Sequence, residues 1–61
     1  MKKKLFEQLN RDFLNMCIAG KLWRDRLLVT ARFLLDSDVI SDSEWMFLVR
    51  AVDTVYVENF E

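Results

Sequence analysis

A chain of 61 residues with no histidine and a single cysteine, Cys17, has no intrachain disulfide and no His/Cys zinc site open to it, and a core of this size supplies only about 3 to 5 kcal/mol of net stability. The net charge of −1 hides a division: residues 1–32 carry eight basic and three acidic side chains and residues 33–61 one basic and seven acidic, so the halves are +5 and −6 and attract each other within one chain or between two. With 52% apolar residues and eight aromatics, the chain has more apolar surface than so short a monomer readily covers, which predicts a partner: a second copy, a larger protein, or both.

The absence of proline, the lone Gly20 and apolar residues at helical spacing make the chain all-α, a single small helical domain over 1–61. Leu5, Phe6, Leu9, Phe13, Met16 and Cys17 form one stripe of an amphipathic helix predicted over residues 3–19, with Lys3, Glu7, Arg11 and Asn15 on its other side. Cys17 lies in the apolar run Met16-Cys17-Ile18-Ala19 and is expected in the core. It lacks the neighbouring base or helix N-terminus that activates a thiol.

A second helical segment, 21–35, has apolar groups on two sides: Trp23, Leu27, Ala31 and Leu34 on one, Leu22, Val29 and Phe33 on the other. Such a helix is expected to be sandwiched between neighbours. The stripes run in phase through Gly20, and no Ser, Thr, Asp or Asn caps a new helix beside Lys21. The first helix is therefore continuous, kinked or broken at Gly20. Continuous, it is about 50 Å long against about 25 Å for the last helix, and a second chain is needed to cover the remainder; broken, it gives a compact three-helix unit. Both a helical hairpin and a three-helix bundle, each oligomeric, are open.

The next boundary is sharper. Asp36-Ser37-Asp38 breaks the pattern, and Ser41-Asp42-Ser43-Glu44 reads as a capping box with Ile40 and Trp45 placed as a hydrophobic staple. The last helix, 42–58, puts Trp45, Leu48, Val49, Val52, Val55 and Tyr56 on one stripe. Met46, Phe47, Val57 and Phe60 fall off it and are candidate protein-binding residues, together with Leu22, Val29 and Phe33.

No residue set specifies a reaction, and no catalytic residue, cofactor or metal is expected. Asp36, Asp38, Asp42 and Glu44 surround a helix start, where acids serve capping and the macrodipole. Read as an EF-hand, the loop has Ile40, Ser41 and Phe47 where a ligand, the turn glycine and the bidentate glutamate belong. Lys2 to Lys4, Arg11, Lys21, Arg24, Arg26 and Arg32 offer phosphate contacts, and 21–57 is a helix, turn and helix, but the last helix carries Asp53 and Glu58 toward any groove, which disfavours nucleic acid. Lys2 to Lys4 are followed by Glu7, Arg11 and Asp12, not by the apolar run of a signal peptide, and no stretch is long enough to span a bilayer. A cytoplasmic protein without membrane attachment is expected.

The segment Leu34-Leu35-Asp36-Ser37-Asp38-Val39-Ile40-Ser41-Asp42-Ser43-Glu44-Trp45 resembles the short C-terminal helix-turn-helix motif, in which a leucine pair, a turn, an Ile-Ser/Thr step and a Glu-aromatic pair recur. Asp38 stands where that motif has its turn glycine. The resemblance implies oligomerisation. Together these features predict a non-catalytic, self-associating interaction module, a small regulator or inhibitor of phage or mobile-element type that binds a larger protein. A helix-turn-helix-like nucleic-acid-binding regulator and a structural subunit of a larger assembly are the alternatives.

Overall fold

The computed structural model describes residues 2–61, the Lys2 side chain excepted. Three helices follow one another with no strand among the described residues: α1 (Lys2–Asn15), α2 (Gly20–Asp36) and α3 (Asp42–Phe60). Their arrangement has a radius of gyration of 10.8 Å, close to the roughly 10.5 Å that size scaling gives for this length. The three-helix alternative holds.

Gly20 marks a break, not a kink. α1 stops at Asn15, and the Cys17 and Ile18 amides donate to the Leu14 and Phe13 carbonyls (2.9 and 3.3 Å). This is a Schellman closure with Cys17 in the left-handed position at φ 60°. Ala19 is extended, Gly20 is left-handed again at φ 63°, and α2 begins without a side-chain cap. Two left-handed residues three apart reverse the chain, so the continuous stripe of the sequence is cut after Phe13. Met16 and Cys17, expected in the core, are exposed for that reason.

α2 ends by the same device. Asp38 and Val39 donate to the Leu35 and Leu34 carbonyls (3.1 and 2.9 Å), with Asp38 at φ 61°. Asp tolerates this region better than most non-glycine residues, which explains how it stands in the turn position. Ser41 then caps α3 in a complete capping box: its hydroxyl accepts from the Glu44 amide (3.3 Å) while its own amide donates to the Glu44 carboxylate (2.8 Å). The staple residues behave as predicted, Ile40 buried in the core and Trp45 packed against it. α3 runs one half-turn past the expected end.

The core lies where α2 and α3 meet, with α1 laid across both. Trp23, Leu27, Ala31, Leu48 and Val52 are essentially inaccessible, and Phe6 and Ile40 close the cluster. Each large aliphatic among them is worth about 1.5 to 3 kcal/mol of transfer free energy. Leu5, Leu9 and Phe13 of α1 pack on this cluster half-buried. α2 is covered on one side only: the expected sandwich does not form within the chain, because α1, shortened at Asn15, joins α3 on the Trp23–Leu27–Ala31 side.

Candidate protein-binding surface

The helix phase decides which apolar residues remain outside. On α2, at 100° per residue, Leu22, Val29 and Phe33 fall within about 40° of one another, opposite Leu27 and Ala31. They are 55%, 68% and 66% exposed. A solvent-facing stripe ordinarily carries polar groups; this one carries three large apolar side chains over about three turns, with Arg26 beside it.

The residues of α3 divide. Met46 and Val57, both exposed, share the flank beside Arg50, and Val57 lines a cleft with Lys21 and Arg24 of α2. Phe47 lies nearly a quarter-turn away, in an open groove of about 590 Å³ between α1 and α3 that Lys3, Phe6, Arg50 and Val55 also line. Phe60 stays 37% exposed while its ring centroid lies 5.3 Å from that of Trp23 and 5.7 Å from that of Tyr56, tilted contacts worth about 0.5 to 1.5 kcal/mol beyond their area. Of the seven candidates, Leu22, Val29 and Phe33 are the three that share one exposed stripe of a single helix.

The charge division is used between helices. Arg24 of the basic half donates to Asp53 of the acidic half at 3.0 Å, and its guanidinium lies 5.5 Å over the Tyr56 ring. Lys21 pairs with Asp25 (2.8 Å) and Arg32 with Asp36 (3.2 Å), both one turn apart on α2. The Asp25 hydrogen bond and charge hold the Lys21 ammonium above its ordinary 10.5. Three of the cations that offered phosphate contacts are thus engaged by acids. Lys2, counted with them, lies outside the residues whose side chains are described.

Two polar features were not anticipated. The Trp23 indole, fully buried, donates to the Asn10 side-chain oxygen at 2.9 Å; Asn10 lies in the otherwise polar part of the α1 sequence, and nothing in its spacing announces the contact. Trp45 buries its indole Nε1 with no acceptor in reach. Among the described residues no three His, Cys, Asp or Glu side chains gather as a metal site would require. Among the described residues no helix is long and apolar enough to cross a membrane. Comparison with known proteins finds no family model, no characterised relative and no solved structure that matches the chain.

Proposed function

We propose that this chain is a non-catalytic interaction module, a small regulator or inhibitor of the kind carried by phages and other mobile elements, which acts by seating an apolar helix face on another protein. The observation that carries this reading is the outward face of α2, where Leu22, Val29 and Phe33 stand exposed although the chain's own helices are already packed elsewhere. The total surface, 4360 Å², is close to the roughly 4200 Å² expected of a monomer of this mass. What is unusual is the quality of that surface, not its extent, as in a folded unit that meets a partner rather than one that folds only in its presence.

The pairing of Lys21, Arg24 and Arg32 with acids supports protein over nucleic acid as that partner. A tagged chain used to capture proteins from its source cells, beside a Phe33→Glu variant, tests the reading. A target retained by the parent, lost by the variant and changed in activity on binding supports it. Capture of nucleic acid that falls steeply with salt and is indifferent to Phe33→Glu supports the alternative.

A further inference from the structure

We propose that the outward face of α2 seats the same face of a second copy, antiparallel, about a two-fold axis that crosses the helix near Leu28. The proposal rests on the reading of that face as an interaction surface and names its occupant from the charges beside it.

Along one flank of the Leu22–Val29–Phe33 stripe lie Lys21, Asp25, Arg32 and Asp36, all within about 60° of arc at 100° per residue, giving the order plus, minus, plus, minus along the axis. Three of the four side chains are well over half exposed and Asp25 nearly half. In an isologous antiparallel pair the two-fold axis keeps each flank on its own side and reverses its direction. Lys21 therefore meets the partner's Asp36, and Asp25 meets the partner's Arg32. Both pairings share a midpoint between Leu28 and Val29. The apolar stripe, with Leu22 against the partner's Phe33, has its midpoint between Leu27 and Leu28, one residue away, so the two registers differ by two residues or about 3 Å, within the reach of these side chains.

A parallel pair instead sets the charged flank against Thr30 and Arg26, where Asp25 beside the partner's Arg26 is an opposite-charge approach made twice by symmetry, and leaves Lys21, Arg32 and Asp36 without a charged counterpart. The cost in the antiparallel arrangement is a set of offset like-charge approaches, Lys21 toward the partner's Arg32 and Asp25 toward the partner's Asp36 on the charged flank and Arg26 toward the partner's Arg26 on the other, each displaced by about 6 to 7.5 Å along the axis, against four directly facing opposite-charge approaches related in pairs by symmetry. Such charges set register and orientation while the apolar stripe supplies the contact.

Charge exchange tests the register. Sedimentation equilibrium of the full chain from low to high micromolar concentration is expected to show a dimer. Val29→Glu should abolish it with helical circular dichroism unchanged, since Val29 is 68% exposed and stands outside the core cluster. Asp25→Arg and Arg32→Asp should each weaken dimerisation about tenfold, and the double variant should recover to within about threefold of the parent. Neither exchange restores the pairs within the chain, Lys21 with Asp25 and Arg32 with Asp36, so recovery reports contact between chains. A parent that stays monomeric throughout, or a double variant no better than the single ones, overturns the proposal. If Val29→Glu abolishes the dimer but the double exchange does not recover it, the pairing falls while the interaction face stands. If Val29→Glu leaves the dimer intact, the pairing falls, and the interaction face then depends on the loss of a captured target on Phe33→Glu.

Discussion

The indole Nε1 of Trp23 donates a 2.9 Å hydrogen bond to the side-chain oxygen of Asn10, tying the most deeply buried residue of α2 to α1. The bond does two things at once. It satisfies a donor that has no access to water, and it joins α1 to α2 across 13 residues of chain. Asn10→Ala is therefore expected to cost about 1 to 3 kcal/mol, the penalty of a buried donor left unpaired, read from urea unfolding. In a Trp23→Phe background, where there is no donor to strand, the same change should cost under about 0.5 kcal/mol. Equal costs in both backgrounds would mean that Asn10 acts through packing alone.

The α1–α2 turn holds a non-glycine residue in the left-handed region, and this strain can be relieved. Cys17→Gly, at φ 60°, should raise stability by about 0.5 to 1 kcal/mol, the removed strain less the added freedom of the unfolded chain. Gly20→Ala, at φ 63°, should lower it by about 0.5 to 1 kcal/mol, the added strain less the freedom the unfolded chain loses. Beyond the chain neighbours and the adjoining backbone of α2, no described atom lies within 4 Å of the added methyl, so this loss comes from backbone geometry and should appear with little change in the packing seen by near-ultraviolet circular dichroism.

Ser41→Ala removes the hydroxyl half of the α3 capping box and is expected to cost about 1 kcal/mol, with the loss visible as faster amide exchange in the first turn of α3. Ser41→Asp, which keeps an acceptor at the cap, should recover most of it.

Two substitutions at Trp45 should behave oppositely. Trp45→Ala empties a position packed against the core and is expected to cost about 3 kcal/mol or more. Trp45→Phe keeps much of the apolar contact and removes a buried donor that has no acceptor, so its cost should stay under about 1 kcal/mol. A large loss on Trp45→Phe, measured by thermal unfolding, would show that the Nε1 proton is used.

The candidate surface also predicts a separation between folding and association. Phe47→Glu places a charge in the α1–α3 groove beside Phe6, a residue of the core, and is expected to lower the melting temperature. Phe33→Glu, on the open face of α2, should leave it unchanged at low protein concentration and remove any dependence of melting on concentration.

How much of this was open to inspection in the sequence follows the range of the interactions. The three helical periodicities, the Ser41–Glu44 capping box and the Ile40–Trp45 staple rest on groups within five residues of one another, and the sequence alone determined them, together with the two apolar sides of α2. Tertiary structure decided the rest. The stripe from Leu5 to Phe13 continues in phase through Cys17 into Trp23, so periodicity does not separate one long helix from two; the left-handed turns at Cys17 and Gly20 do, because a reversal there lets α1 cover the α2–α3 seam within the same chain. That choice exposed Cys17 and Met16, drew Phe60 onto Trp23, joined Asn10 to Trp23 and Arg24 to Asp53 across 13 and 29 residues of chain, and left Leu22, Val29 and Phe33 outside. Both sides of α2 are apolar enough to be buried, and a shortened α1 reaches only one of them.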